Sequence, residues 1–169
     1  MVSTSLVHVI GTVTLIVMLT IISLYVYTDA KITMYTNTKR NLQLVAELVA
    51  LQVKYILYAN SNISQTLDYP LMVSHGEYYN IYIGTGDKLH YEISVLPNLT
   101  KNALYAVAIL PDKTNYGYAL IINSTTFLNK QIILSEDPIF FGSTTITKLN
   151  VTVQSNNIVI DYVIEGMKT

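Results

Sequence analysis

The chain lacks cysteine and tryptophan and is poor in charge. Only 12% of its 169 residues are Asp, Glu, Lys or Arg, and the formal net charge is −1. Without cysteine the chain can form neither a disulfide framework nor a thiolate zinc site. Because there is no surplus of basic residues, the composition argues against a nucleic-acid partner. These absences predict a domain that is held together by its hydrophobic core.

The first 28 residues carry no charged side chain. Within them, residues 6–27 are almost wholly apolar and would form a helix roughly 33 Å long at the usual rise per residue. That length can cross a bilayer core of about 30 Å. A cleavable signal peptide is not indicated, because the run is too long and has neither a basic region before it nor a small-residue cleavage site after it. We predict a retained membrane or filament-core helix lined by Leu6, Val9, Ile10, Val13, Ile16, Val17, Ile21 and Leu24.

A second helical pattern begins at Leu42. Apolar residues recur there at steps of three and four, which matches the 3.6-residue period of a helix. They form two neighbouring stripes, and such a wide apolar face must be covered by the β domain or by neighbouring helices. The opposite, polar face is predicted to comprise Gln43, Glu47, Ala50 and Lys54. The first stripe is Leu42, Val45, Val49, Val53 and Ile56, and the second is Leu44, Leu48, Leu51, Tyr55 and Tyr58.

Between the two helical patterns, residues 32–38 are rich in threonine and β-branched side chains, which weaken helix preference. This segment is either a bend or part of one long helix.

From about residue 67 the hydrophobic period changes from 3.6 to 2, which is typical of strands. Residues 89–95 alternate strictly, so a strand with Leu89, Tyr91, Ile93 and Val95 inward is expected, joined to residues 79–83 by a hairpin at 84–87. Further strands are predicted at 103–110, 116–123, 126–134, 139–147, 149–154 and 158–165. Regular turns between them favour an antiparallel β-sandwich. The predicted fold class is α+β, with a helical region at 1–59 and a β-sandwich head at 60–169.

No motif for catalysis, cofactor binding or metal binding is present. The three histidines do not pair with carboxylates at a spacing that suits a metal. Ser74, His75 and Glu77 are too close along one loop to form a catalytic triad. Gly84 and Gly86 are flanked by predicted strands, so they indicate a turn rather than a nucleotide loop. The sequence predicts no enzyme, no cofactor and no metal.

Two features bear on the side of the membrane that the β domain faces. Lys31, Lys39, Arg40 and Lys54 follow the apolar run, which by the positive-inside rule favours the cytoplasm. Four Asn-x-Ser/Thr tripeptides and the Tyr- and Thr-rich, weakly charged β region favour the outside, which is our interpretation. The candidate glycosylation sites are Asn62, Asn98, Asn123 and Asn150.

The chain has fourteen tyrosines. Tyrosine suits protein contacts because it combines a large apolar ring with a hydroxyl group. We predict contact residues in two loops, at Tyr78 and Tyr79 and at Tyr116 and Tyr118; the alternative is that these tyrosines are buried in strands.

The layout of an uncharged helix, an amphipathic continuation and a β-sandwich head resembles the type IV pilin superfamily. The start Val2-Ser3-Thr4-Ser5-Leu6-Val7-His8-Val9-Ile10-Gly11-Thr12-Val13-Thr14-Leu15-Ile16-Val17 is similar to the mature N-termini of archaeal pilins and archaellins, which are small or polar and then rich in Ile and Val. No class III leader precedes it, and Ser5 stands where bacterial mature pilins carry a glutamate. The chain is thus either already mature or similar to the unprocessed archaellum accessory F and G proteins, which have one membrane helix and an external β-sandwich.

The resemblance implies one of two structural roles at the cell envelope. In the first, the chain is a membrane anchor of the archaellum stator kind, and its sandwich binds the surface layer. In the second, it is a filament subunit whose helices pack in the filament core with the heads outside. The expected partners are the membrane and either a surface-layer protein or like subunits, in a homo- or hetero-oligomer of a motility or adhesion machine. A sugar-binding or enzymatic surface domain is a third reading, supported only by the tyrosines.

Overall fold

The computed structural model describes residues 4–168, except for the side chains of residues 4–7 and His75. A long helix, α1, spans Thr4–Tyr58 and is followed by a mixed domain of strands with one short helix, α2, at Gly86–Glu92. The predicted α+β class is confirmed. The chain divides into two compact units, one up to Asn37 and one from Thr38 onward.

In the first unit, the helix is apolar and exposed all round. The large apolar side chains from Val9 to Tyr35 range in exposure from 40% at Met34 to 73% at Tyr25. By length and composition α1 could cross a membrane. Signal sequences and the core helices of soluble proteins can have the same length and composition. No residue of the most apolar 18-residue stretch of α1 is buried. All the predicted membrane or filament-core residues from Val9 to Leu24 lie on this exposed surface, whereas the side chain of Leu6 lies outside the described part.

Residues 32–38 are helical and belong to α1. Threonines in α1 donate their hydroxyls to the carbonyl oxygen four residues earlier, as Thr36 does to Ile32 at 2.8 Å. The same bond is made by Thr28 to Leu24. This bond satisfies the hydroxyl inside an apolar helix, although threonine has a low intrinsic helix preference.

The described strands form two sheets, in the region for which the sequence predicts an antiparallel β-sandwich. The order is β1-β8-β9-β6-β5 in one sheet and β4-β3-β2-β7 in the other. All pairs are antiparallel except β6 and β9, which run parallel. The strand bounds are β1 Ile63–Thr66, β2 Asn80–Thr85, β3 Leu104–Ile109, β4 Tyr116–Ile122, β5 Thr126–Phe127, β6 Lys130–Leu134, β7 Ile139–Gly142, β8 Thr145–Val153 and β9 Asn157–Met167.

The main core joins the second half of α1 to both sheets. Helix residues such as Val49 and Val53, which are fully buried, belong to one apolar cluster with Ile81 and Ala106 of the four-stranded sheet. Ile160 of the five-stranded sheet belongs to the same cluster. The domain that follows α1 along the chain therefore needs the second half of α1 to complete its core.

The predicted strand at 89–95 is wrong, because most of this segment is helix α2. Leu89 and Ile93, four residues apart, are both fully buried in a second core cluster with Val107 of β3, while Tyr91 is 85% exposed. The alternation that suggested a strand also fits one turn of helix with a single buried face. The predicted hairpin at 84–87 is likewise wrong, since β2 runs to Thr85 and α2 begins at the next residue.

The Asp137 carboxylate fixes this junction, because it accepts hydrogen bonds from the backbone nitrogen of Thr85 at 3.0 Å and from its hydroxyl at 2.7 Å. Thr85 directly precedes α2, so the loop before β7 positions the start of the helix.

Candidate interaction surface on helix α1

The two apolar stripes of the second half of α1 have different environments. In the first stripe, Leu42, Val45 and Val49 are buried, as predicted for packing residues. In the second, Leu44, Leu48 and Leu51 are 54%, 41% and 64% exposed, so the domain does not cover them. Of the six residues of the predicted helix packing face, three are therefore covered within the domain, and the other three form a surface.

Ala50 was predicted on the polar face but is buried, so its assignment is wrong. Its small side chain allows β4 to approach the helix, and Ala119 of β4 lies across a shallow groove from it. The buried sector of the helix is thus shifted toward β4, away from the second stripe.

We call the exposed apolar side chains of this helix the outer stripe. Their exposures run from 41% at Leu48 to 71% at Tyr55. The steps between them are four, three, four and three residues, which is the spacing of the contact seam in a coiled coil. The outer stripe consists of Leu44, Leu48, Leu51, Tyr55 and Tyr58.

Two other segments extend the outer stripe on either side. Pro70, Met72 and Val73 form the wall of an apolar groove of about 230 Å³ beside Leu44 and Leu48. On the other side, Leu120 of β4, which is 50% exposed, lies across a groove of about 260 Å³ from Leu51.

Met72 and Leu120 were missed in the sequence, because no local periodicity links them to the helix. The domain therefore presents a composite apolar surface made from three separate parts of the chain.

Two glutamines fix the rotation of the helix that sets this surface outward. Gln43 donates through Nε2 to the carbonyl oxygen of Tyr118 at 2.9 Å and accepts through Oε1 from the Tyr118 nitrogen at 3.1 Å. Gln52 makes the equivalent pair of bonds with the backbone of Asp68, at 2.6 and 2.8 Å. Gln43 thus takes the place of a strand neighbour of β4, and both carboxamides satisfy backbone groups that would otherwise need water.

Charged side chains lie beside the outer stripe without forming a reactive cluster. Glu47 and Lys54 are exposed, and Lys54 Nζ lies 6.0 Å from the centroid of the Tyr58 ring. No group of three or more His, Asp or Glu that could hold a metal ion occurs among the described residues. Ser74 Oγ accepts a hydrogen bond from Asn41, and the side chain of His75 lies outside the described part.

The four predicted contact tyrosines are placed differently. Tyr78 is 49% exposed, whereas Tyr79 is 1% exposed and donates its hydroxyl to the Pro70 carbonyl. Burial, and secondarily the charge of Tyr69, raises the pKa of Tyr79. Tyr116 and Tyr118 are half-buried and pack against the α2 core cluster. The prediction is therefore wrong for Tyr79, which belongs to the core because it lies next to β2 with its ring inward.

The four candidate glycosylation sites fall into two groups. Asn62, Asn98 and Asn123 are exposed, whereas Asn150 is half-buried; Asn98 and Asn123 lie in the segments after α2 and after β4. Asn62 lies just before β1, and Asn150 lies in the middle of β8.

No protein-family model, curated protein or solved structure matches the chain. The likeness to type IV pilins thus rests on the layout of the chain and on its residue pattern.

Proposed function

We propose that the protein is a structural component of a pilus-like cell-surface assembly, with the apolar part of α1 in a membrane or filament core and the β domain outside. The position of α1 in a membrane or filament core is supported by the uncharged run at 6–27, whose described side chains are exposed. A helix that is apolar all round requires an apolar environment on all sides.

The outer stripe is the observation that carries the proposal. It places five large apolar side chains in water, next to the further apolar residues Met72 and Leu120. Contiguous exposed apolar surface marks an interaction site, since its removal from water is worth about 25 cal/mol for each Å². The heptad spacing suits another helix as the partner. Of the two roles, the outer stripe therefore favours the filament subunit, in which helices of neighbouring copies pack together.

The anchor of the archaellum stator kind is the second candidate. Its supporting observation is that the unit from Thr38 onward has its own core, formed with the second half of α1. Such a head could act singly, and in this role the outer stripe or exposed tyrosines such as Tyr78 would contact a surface-layer protein.

Cysteine cross-linking separates the two roles, because the chain has no cysteine of its own. We would introduce one thiol into the outer stripe, as Leu48→Cys or Leu51→Cys, and oxidise the assembled protein gently. The matched control is Thr152→Cys, an exposed position on β8 away from the helix. Cross-links between like chains at positions 48 and 51, with none at 152, would support the filament subunit, and electron microscopy should then show filaments. Cross-links only to a different protein would favour the anchor, and equal cross-linking at all three positions would contradict a specific role for the outer stripe.

Deletion of residues 1–30 tests the membrane or filament-core assignment. The truncated protein is expected to be soluble and rich in β-structure, as measured by circular dichroism and sedimentation without detergent. A requirement for detergent after the deletion would contradict the assignment.

A further inference from the structure

We infer that Asn98 and Asn123 are acceptor sites for an N-linked sugar, and that Asn62 and Asn150 are not, although all four carry the same tripeptide signal. The inference rests on the proposed location of the β domain outside the cell, where such sugars occur. The sequence alone ranks the four sites equally. What separates them is the hydrogen bonding of the carboxamide and, for Asn150, its position in a strand that is paired on both sides.

Asn62, just before β1, and Asn150, in β8, are both bonded to this pair of strands. The side-chain oxygen of Asn62 accepts a hydrogen bond from the Val153 nitrogen at 2.8 Å, which secures the start of β1 against the end of β8. The hydroxyl of Ser64, which is the third residue of the Asn62 signal, donates to the side-chain oxygen of Asn150. The side-chain oxygens of both asparagines therefore already accept a hydrogen bond, and one of these bonds joins the two signals.

The backbone at Asn150 is also engaged on both sides. Asn150 pairs with Ser64 of β1 and with Asp161 of β9. An enzyme that modifies this asparagine must enclose the tripeptide, and this would require β8 to leave both neighbouring strands. Each backbone hydrogen bond lost there without a replacement destabilises the sheet.

Asn98 and Asn123 lie outside such pairing. Asn98 follows Pro97 in the segment that joins α2 to β3, and both Asn98 and Thr100 are exposed. Asn123 directly follows the last residue of β4. Among the described residues, neither carboxamide makes a hydrogen bond. The third residue of each signal is bonded through its backbone, Thr100 to the Tyr105 hydroxyl and to the Ala103 nitrogen, and Thr125 to the Ile132 nitrogen. The two asparagines themselves are exposed in surface segments outside the strands.

The transfer uses a sugar linked to a lipid through a diphosphate as its co-reactant. A bond forms between Nδ2 of the asparagine and the anomeric carbon of the sugar, and the bond from that carbon to the phosphate oxygen breaks. The lipid diphosphate leaves with the electron pair, and the amide nitrogen loses one proton to a base. No oxidant or reductant is required.

The first test uses the full chain, folded in detergent, with a purified single-subunit N-oligosaccharyltransferase and a lipid-diphosphate-linked oligosaccharide. Four synthetic peptides, each spanning one signal, report how well the enzyme accepts each local sequence. Glycopeptide mass spectrometry should find the four peptides modified, whereas in the folded chain occupancy at Asn98 and Asn123 should exceed that at Asn62 and Asn150 at least tenfold. Equal occupancy of all four sites in the folded chain would overturn the inference, as would unmodified Asn98 and Asn123 in the folded chain when their peptides react.

The second test separates this inference from the proposed function. In cells that attach N-linked sugars to exported proteins, Asn98→Gln and Asn123→Gln should each remove one glycan from the intact mass, and Asn62→Gln and Asn150→Gln should remove none. Protease added outside the cells reports independently whether the β domain is exposed there. A digested but sugar-free domain would overturn the inference and leave the proposed location intact, whereas a protected, sugar-free domain would overturn both.

Discussion

Gly117 of β4 lies directly against the backbone of Gln43 in α1. A Cβ atom added at Gly117 would come within 2.2 Å of the Gln43 nitrogen and 2.3 Å of its Cα. These are backbone atoms in the middle of a helix, so they cannot rotate away as a flexible side chain would. The absence of a side chain at 117 is therefore what lets α1 approach the four-stranded sheet closely enough for Gln43 to bond to Tyr118.

The first prediction concerns this contact. Gly117→Ala should lower the free energy of unfolding by about 1–3 kcal/mol or more, because β4 and α1 must move apart. Gly166→Ala is the matched control, since an added Cβ there has nothing within 4 Å. Chemical denaturation of the full chain in detergent measures both. A Gly117 variant as stable as the Gly166 variant would show that the backbone of α1 does not pack directly against Gly117.

The second prediction concerns the carboxamide of Gln43. Gln43→Ala removes an exposed hydrogen bond to Glu47 and the two bonds to Tyr118. The Tyr118 backbone groups are left part-buried without these partners, so a loss of about 1–3 kcal/mol is expected. Gln154→Ala makes the same change at an exposed position and should alter stability by less than about 0.5 kcal/mol. If both variants unfold at the same denaturant concentration, the pairing with Tyr118 contributes nothing measurable.

The third prediction distinguishes the two stripes of α1. Val49 is fully buried, so Val49→Asp should cost about 3–5 kcal/mol by placing an unpaired charge in the core. Leu48, its neighbour, is 41% exposed, so Leu48→Asp should leave the stability nearly unchanged and instead abolish cross-linking through a cysteine at Leu51. Glu47→Ala, also exposed, should cost less than about 1 kcal/mol. Similar losses of stability at Val49 and Leu48 would contradict the placement of the outer stripe.

The fourth prediction concerns the tyrosines. Tyr118 is half-buried and its ring lies 6.5 Å from that of Tyr105, centroid to centroid, so Tyr118→Ser should cost about 1–3 kcal/mol. Tyr78 is 49% exposed, and Tyr78→Ser should have little effect on the melting temperature. Thermal unfolding monitored by circular dichroism compares the two. An unchanged melting temperature of the Tyr118 variant would show that the Tyr118 ring does not stabilise the fold and is available for contact with a partner.

The fifth prediction concerns alkaline pH. Burial raises the pKa of Tyr79 above its ordinary value of 10.0, so above about pH 10 the unfolded chain releases a proton that the folded chain retains. The folded state then binds more protons, and the free energy of unfolding must fall as the pH rises through this range. Lys168 has the opposite effect on the free energy of unfolding just below pH 10.5. Burial lowers its pKa, so the folded chain releases that proton before the unfolded chain does.

Tyr79→Phe removes the titrating hydroxyl, and the decline of stability above about pH 10 should become shallower than in the unaltered chain. Denaturant titrations at several pH values measure the slope, which does not depend on the constant loss of the bond to Pro70. Identical slopes for the two proteins would show that Tyr79 is not held protonated by the fold.

The sequence by itself determined the features that depend on local spacing and composition. The uncharged run at 6–27 predicts an apolar helix from composition alone, and the steps from Leu42 to Val49 predict a buried helical face. The strands predicted at 103–110 and 116–123 are found as the antiparallel pair β3 and β4, and those at 149–154 and 158–165 lie within the antiparallel pair β8 and β9. In each case the partners are close along the chain, so the pattern and the contact arise from the same residues.

Only the tertiary structure decided which apolar surfaces are covered. Leu48 and Val49 are equally apolar in sequence, yet one is exposed and the other buried, because β4 approaches the helix on one side through Gly117. Residues 86–92 form a helix rather than the predicted strand, and Leu89 in it is covered by side chains of β3 that the local alternation does not reveal. The parallel pairing of β6 with β9 and the burial of Tyr79 likewise depend on distant segments. A periodic pattern specifies which side chains share a face, but the burial of that face depends on the segment that the rest of the fold brings against it.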